Sequence, residues 1–157
     1  NGGETRFHSV RNGLQFLKEK RIAEGLSSEK ALVAIHDGVR PLVTMEVIQN
    51  CFAEANLSGA AIPIVPVVDS LRECTDQGSR PVDRSRYQAV QTPQVFDFDL
   101  LVQAYEQPYT ELFTDDASVV SRYGKSLSYV MGERLNIKIT TPEDLIMANA
   151  IMALRNK

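Results

Sequence analysis

Tryptophan is absent from this chain of 157 residues, and cysteine and histidine occur only twice each. The two cysteines, Cys51 and Cys74, lie far apart without a CxxC pattern or a histidine-rich neighbourhood. That excludes a disulfide scaffold and a structural zinc site. Both are expected as reduced thiols, with Cys51 filling the core. His8 and His36 lack the companions of a metal site or a catalytic triad. Structural or solvent-exposed roles are expected for both, with a ligand contact left open by the versatility of imidazole.

Long apolar runs are missing too. None approaches the roughly 20 residues of a membrane-spanning helix, and no charged-then-apolar leader opens the chain. A soluble protein of the cytoplasm, without membrane contact, is the expectation. The net charge is -3 and the isoelectric point near 5.4. This lacks the basic footprint of a nucleic-acid binder. An anionic ligand must be held by a few local Arg and Lys side chains. No internal repeat or low-complexity linker occurs. With 43% hydrophobic and 24% charged residues, one globular domain over 1–157 with a single core is expected. The opening Asn1-Gly2-Gly3-Glu4 is neither an initiator nor a leader. A lost N-terminus and a partial chain are the two readings.

Apolar periodicity supplies the elements. Val10, Leu14 and Leu17 recur at helical spacing between Arg6 and about Glu24, with polar residues on the other face. Ala31 to Ile35 is an unbroken apolar run, the pattern of a parallel strand covered on both faces. His36-Asp37-Gly38-Val39-Arg40-Pro41 follows at its carboxyl end. Thr44 caps a helix with a Val47, Ile48, Cys51, Phe52, Ala55 stripe, ended by Ser58-Gly59. Ala60 to Val68 reads as a second buried strand. Pro63 and Pro66 place it at an edge or bulge, so the sheet is expected to fray there.

Leu71 to Val90 is polar, with a hairpin turn near Gly78-Ser79 and no stripe to pack on a core. It is expected to project, and a lone two-stranded ribbon is marginal without a partner. A helix from Asp97 to Gln107, another opened by Thr114-Asp115-Asp116, a strand over Ser126–Met131 and a short extended Asn136–Ile139 follow. Thr141-Pro142-Glu143-Asp144 opens a last helix, Leu145 to Leu154, apolar almost all round and expected to be buried. Alternating strands and helices give an α/β fold with a mostly parallel sheet and ligands at strand carboxyl ends.

Among the polar groups, Asp37 suits ribose hydroxyls, a substrate hydroxyl or Mg²⁺. Gly38 lets a ligand approach the backbone, and Arg40 can grip a phosphate bidentately. The plainer alternative is a turn in which Asp37 caps the loop and Arg40 pairs with a surface acid. Lys138 is either solvated at an edge, the commoner case, or pointed into a strand-end cleft. Arg80, Arg84 and Arg86 form either a solvated face or a functional cluster, and Thr92-Pro93-Gln94 either an ordinary turn or part of a site.

The segments Gly2-Gly3-Glu4-Thr5-Arg6-Phe7-His8-Ser9-Val10, His36-Asp37-Gly38-Val39-Arg40-Pro41, Val82-Asp83-Arg84, Gln91-Thr92-Pro93-Gln94, Thr114-Asp115-Asp116-Ala117-Ser118 and Asn136-Ile137-Lys138-Ile139-Thr140 stand in a shared order and spacing. Taken together, they resemble the 2-C-methyl-D-erythritol 4-phosphate cytidylyltransferase family of the non-mevalonate isoprenoid pathway. The resemblance implies a Rossmann-like, mostly parallel sheet of the nucleotide-diphospho-sugar transferase type with a projecting β-arm over about 68–90. The implied activity joins CMP from CTP to the methylerythritol phosphate and releases pyrophosphate, with Mg²⁺ as cofactor and Asp37 as its candidate ligand.

By the same resemblance Gly3, Glu4 and Ser9 read the cytosine, and Asp37 and Gly38 lie along ribose and substrate hydroxyls. Arg84 and Lys138 are the catalytic cations that position the acceptor, while Arg40, Ser70 and Thr92 help to hold it. The arm is implied to cross to the other subunit of a homodimer, so that Arg84 and Ser70 complete the neighbour's site. Glu4 stands where the family commonly has Asp, Gly38-Val39 where it has Ala-Ala, and Ser70 where it has Thr. The family's N-terminal strand and its glycine-rich loop, bearing an Arg and followed by a Lys, have no match in residues 1–157. Residues 1–157 alone are therefore expected to be inactive. A ribitol-5-phosphate cytidylyltransferase and a truncated, non-catalytic interaction module are the alternatives.

Overall fold

The computed structural model describes residues 2–155 of the chain. Its first element is helix α1, Arg6–Ala23, whose Thr5 cap accepts from the His8 N–H. Strand β1, Leu32–Ile35, and helix α2, Met45–Ser58, follow. Thr44 caps α2 as its sequence suggests, and Gly59 ends it at φ 85°, the left-handed conformation that glycine adopts without strain. Strand β2, Ala60–Pro66, runs directly from that turn.

Next come the hairpin strands β3, Arg72–Thr75, and β4, Gly78–Pro81, and a single 3₁₀ turn over Arg84–Arg86. Strands β5, Gln88–Val90, and β6, Gln94–Asp97, lead into helix α3, Phe98–Ala104. Helix α4, Asp116–Arg122, opens on a capping box between Asp115 and Ser118. Strand β7, Ser128–Met131, and helix α5, Pro142–Arg155, complete the described chain.

The sheet is mixed. β1, β2 and β7 share one direction, β2 and β7 as parallel neighbours, while β6 is inserted antiparallel between β1 and β2. The unbroken apolar run of β1 therefore forms antiparallel bonds to β6, not the parallel pairing expected of it, and all its residues are half-buried.

Two cores lie on opposite faces, because successive strand residues point to opposite sides. Ala60, Ile62 and Phe96 meet Phe7 and Leu14 of α1, Leu101 of α3 and Val120 of α4. Ala61 and Val95 meet Val47, Cys51 and Ala55 of α2 on the other face.

The two prolines of β2 behave differently. Pro66 ends the strand, but Pro63 is fully buried and sits mid-strand opposite Val130 of β7. Along the other edge of β2, β5 and β6 form one antiparallel line interrupted at Gln91-Thr92-Pro93. Ala61 pairs Val95 and Ile64 pairs Val90, so the partner side holds two residues more than the β2 side. The Pro63 carbonyl accepts the Gln91 N–H at 2.8 Å. Carbonyl and amide of one strand residue face the same edge, so the donor that Pro63 lacks points at this bulge. The fraying expected at the prolines is a bulge in the partner, with the sheet continuing on both sides.

The hairpin projects as expected, with every residue of β3 and β4 exposed. It is shorter than the span 68–90, because Gln88–Val90 return to the sheet as β5 and pair with β2. A correction applies to α5. Only Ala148 and Ile151 are buried, against Leu42, Ile137 and Ile139, whereas Ile146 is 71% and Leu154 68% exposed. Apolar composition all round did not imply burial all round, since the described chain offers α5 one neighbour surface only. No helix among the described residues is long and apolar enough to cross a membrane.

Burial also separates the two thiols. Cys51 is wholly buried and desolvation pushes its thiol up to about 11, while Cys74 is exposed on the hairpin. At about pH 8 an aromatic disulfide reagent is expected to modify Cys74 promptly and Cys51 only after unfolding. Equal rates for both in the native protein would contradict this packing.

Candidate active site

Because β6 starts where β1 ends, three loops converge at one end of the sheet. They are His36–Pro41 after β1, the Gln91–Pro93 bulge before β6, and Gly132–Lys138 after β7. Together with Thr114, Asp115 and Arg6 they enclose a cleft of about 160 Å³, lined by Asp37, Arg40, Gln91, Thr92, Gln94 and Lys138 among others. This is the carboxyl end of the co-directional strands, where open α/β sheets bind ligands.

Buried amides tie the loops together. Gln91 donates to the Glu133 carbonyl at 2.7 Å and its side-chain oxygen accepts the Glu133 N–H at 3.2 Å. Asn136, with no exposed surface, donates to the Thr92 carbonyl at 3.0 Å. A Cβ added to Gly132 would stand 2.6 Å from the Gln91 side-chain oxygen, so only glycine leaves room for that contact. On the opposite flank, Gln94 donates to Asp115 at 2.8 Å and accepts the Ala117 N–H at 2.8 Å. The glutamines of Gln91-Thr92-Pro93-Gln94 are thus the fasteners of the cleft, a role that the sequence reading did not assign to them. Nothing local in the sequence marked them, because their partners lie far away in the chain.

Asp37 organises the charges. Its Oδ2 lies 3.2 Å from Lys138 Nζ and 3.5 Å from Arg40 Nε, and Arg40 also donates to the Asn136 carbonyl at 2.8 Å. Arg40 and Lys138, 98 positions apart in the chain, therefore face one cleft. Arg40 Nε has no hydrogen-bond partner among the described residues although it is buried. An unsatisfied guanidinium donor in a cleft is suited to an incoming oxyanion. Thr92 also lines the cleft, and its hydroxyl accepts the Asp37 N–H at 3.0 Å. Gly38 is exposed beside Asp37, and a Cβ there would meet nothing within 4 Å.

Gly3, Glu4 and Ser9 lie at the start of α1, next to the cleft residue Arg6. The Ser9 hydroxyl accepts the Gly3 N–H at 2.9 Å and donates to the Thr5 carbonyl at 3.0 Å. A Cβ on Gly3 would fall 2.5 Å from that of His8, so glycine is needed for the approach. Ser70 and Arg84 are not brought to this cleft within the one chain. Both are exposed, and the Arg84 guanidinium donates to the Val68 carbonyl at the base of the hairpin.

Arg6 was not foreseen either. Its guanidinium donates to Asp116 Oδ2 at 2.5 Å, and Tyr105 donates to Oδ1 of the same carboxylate at 2.5 Å. Burial opposes the charge on Arg6, but the hydrogen bond and the charge of Asp116 outweigh it and raise its pKa. Tyr105 is held as the phenol, its pKa raised by burial and then by the Asp116 charge. Asp116→Asn is expected to cost about 2–4 kcal/mol in urea unfolding, less than for a wholly buried pair because Arg6 is partly solvated. A loss below about 0.5 kcal/mol, the range of ordinary surface changes, would show that the network carries no stability.

The family model for 2-C-methyl-D-erythritol 4-phosphate cytidylyltransferase matches residues 1–154. Proteins of that name from Bacteroides fragilis and Phocaeicola vulgatus are 53% and 50% identical over 151 residues, which make up 96% of this chain and 64% of each relative. The chain thus spans just under two thirds of the length of these curated relatives. A crystal structure of the enzyme of that name from Thermus thermophilus is similar with a TM-score of 0.79 at 33% identity, covering 96% of this chain and 70% of that one.

Proposed function

The chain belongs to the 2-C-methyl-D-erythritol 4-phosphate cytidylyltransferase family, and on that premise we propose that the protein transfers CMP from CTP to 2-C-methyl-D-erythritol 4-phosphate, in the cytoplasm, for isoprenoid precursor synthesis. The observation that carries this reading is the meeting of Arg40 and Lys138 on Asp37 at the sheet's ligand-binding end. A phosphate oxygen of the acceptor attacks the α-phosphorus of CTP. One oxygen–phosphorus bond forms, the bond to the pyrophosphate leaving group breaks, and no covalent enzyme intermediate is needed.

The work left to the protein is positioning and charge compensation. Asp37 holds both cations extended toward the cleft before a ligand arrives, so little reorganisation accompanies binding. An acceptor phosphate then takes the place of Asp37 as their partner, with Thr92 as a further contact. Gly3, Glu4 and Ser9 at the start of α1 are the proposed cytosine-reading group. Ser70 and Arg84 are proposed to act on the neighbouring site of a homodimer. The exposed hairpin that precedes Arg84, with too few strands to be stable alone, supports this.

Mg²⁺ is proposed as a companion of the triphosphate. Magnesium takes its ligands from substrate phosphates and one or two carboxylates. Asp37 is neutralised by two cations, and Asp115 is committed to Ser118 and Gln94. The described residues therefore do not fit a resident metal, and no step is assigned to one.

The test is pyrophosphate release from CTP by the full-length gene product, with methylerythritol phosphate and ribitol 5-phosphate as competing acceptors. Turnover is expected with the former. Arg40→Ala and Lys138→Ala are each expected to lower kcat/KM by about 10²-fold or more, the scale for loss of a transition-state donor. Turnover with ribitol phosphate alone would replace the acceptor, and full activity in both variants would remove the cleft from the reaction.

A further inference from the structure

The proposed nucleotide end and the proposed acceptor end of the site come from different parts of the chain. Between them stands the ion pair of Arg6 and Asp116, 110 positions apart. On the nucleotide side, Gly3, Thr5, His8 and Ser9 form one closed unit. The Ser9 hydroxyl takes the Gly3 N–H and gives its own proton to the Thr5 carbonyl, while the Thr5 side chain caps α1 and lies 2.8 Å from His8 Nδ1. A turn closed in this way moves with α1 as one piece. On the acceptor side, the start of α4 is fastened to β6, because Gln94 bonds both Asp115 and the Ala117 N–H at 2.8 Å. Gln94 stands two residues after Thr92, so α4 and the cleft form a second piece.

Two contacts hold the pieces against each other. Phe7 stacks on Tyr105 at 4.7 Å and on Phe113 at 5.4 Å between ring centroids. Stacked rings resist separation, but a range of offset arrangements is favourable, so stacking alone leaves the register loose. Arg6, the residue before Phe7, supplies the direction that stacking lacks. Its bond ends on a carboxylate with no exposed surface, whose other oxygen takes the Tyr105 proton, so the orientation of that carboxylate is fixed. Charge-assisted hydrogen bonds are short and directional, and a satisfied buried network specifies one arrangement.

We propose that Arg6 is a positioning residue: through Asp116 it sets the register of the nucleotide-reading turn against the acceptor cleft, so that the α-phosphorus of CTP and the attacking phosphate oxygen are held in line. In this role it touches neither reacting atom. A displacement of about 1 Å between reacting groups can cost about 10²-fold in rate. A bond that governs the spacing of the two binding ends therefore acts on kcat. The hydrogen bonds of the Gly3–Ser9 turn, and the pairing of Arg40 and Lys138 with Asp37, are each made without Arg6. Each substrate alone thus keeps its binding groups when the link is cut.

The positioning role rests on the proposed cytidylyl transfer, and steady-state kinetics of the full-length gene product with CTP and methylerythritol phosphate separate the two. The double variant Arg6→Met/Asp116→Asn removes both charges together, so the net charge beside the cleft is unchanged while the link is lost. Its kcat is expected to fall about 10–10²-fold with each KM within about threefold of wild type, the signature of an interaction felt only in the transition state. Arg6→Met and Asp116→Asn alone are each expected to lower kcat, and the double variant to lose no more than the larger single loss, as for two groups that act as one. Arg6→Lys keeps a charged donor for Asp116 and so keeps the fold; its shorter reach shifts the register, and an intermediate kcat is expected. Cys51→Ala, which opens a cavity in the core on the other face of the sheet, is expected to lose stability and keep kcat. Wild-type kcat in both Arg6→Lys and the double variant would overturn the positioning role. A raised KM for one substrate with kcat preserved would make Arg6 a binding contact and overturn it as well. Absence of turnover by wild type would remove the reading of the site itself.

Discussion

The site depends on the bulge that separates β5 from β6. In a regular antiparallel line, Gln91, Thr92 and Pro93 would continue the ladder along β2 and their side chains would alternate between the two cores. The two extra residues on that side break the ladder opposite Pro63, whose missing amide makes the interruption inexpensive. The freed segment turns Gln91 toward Glu133 and Asn136 and Thr92 toward His36 and Asp37. Loops from β1 and β7 are thereby bonded to the strand that lies between them in the chain. A local accident of proline chemistry becomes the means by which distant loops share one cleft.

Charge follows from that geometry. The chain is net acidic, yet the cleft gathers Arg6, Arg40 and Lys138 against Asp37 and Asp115. Attraction for an anion is therefore produced by placement, at short range and in a partly desolvated site, where the effective dielectric is below that of water. Asp37 and Asp116 differ in this respect. Asp116 is fully buried and fixed by Arg6 and Tyr105, which suits a permanent support. Asp37 is bonded through weaker, longer contacts to Arg40 and Lys138, which suits a partner that a ligand can displace. Strong hydrogen bonds to one carboxylate and loose ion pairs to the other divide framework from binding surface.

Much of this was legible in the sequence. The apolar periods located the helices and most strands, and Thr44, Asp115 and Gly59 marked their ends through capping chemistry that acts within a few residues. The polar motif His36–Pro41 was placed correctly at a strand end, and Lys138 was one of two open readings that the structure resolves toward the cleft. What the sequence could not convey was non-local. An apolar run does not say whether its neighbour is parallel, and β1 is paired by β6 in the opposite sense. Nor does composition say how many neighbours surround a helix, so α5 appeared buried when its Ile146 and Leu154 face outward. Gln91, Gln94 and Asn136 gave no chemical signal because amides become informative only when their partners, more than 20 positions away in each case, are known.

The hairpin raises the remaining question of division of labour. A ribbon with four exposed residues in each strand contributes nothing to the two cores, and a chain under pressure only for stability has no use for it. Its base, however, carries Arg84 and Arg86, and the strand that leaves it, β5, runs straight into the bulge. The ribbon is a separate two-stranded sheet, joined through the 3₁₀ turn over Arg84–Arg86 to β5, which pairs with β2 and leads to Thr92. The guanidinium of Arg84 bonds to the Val68 carbonyl, tying the outgoing and returning legs together where they leave the sheet. In the proposed homodimer, the exposed cations of the arm would meet an anion only once the two chains are together.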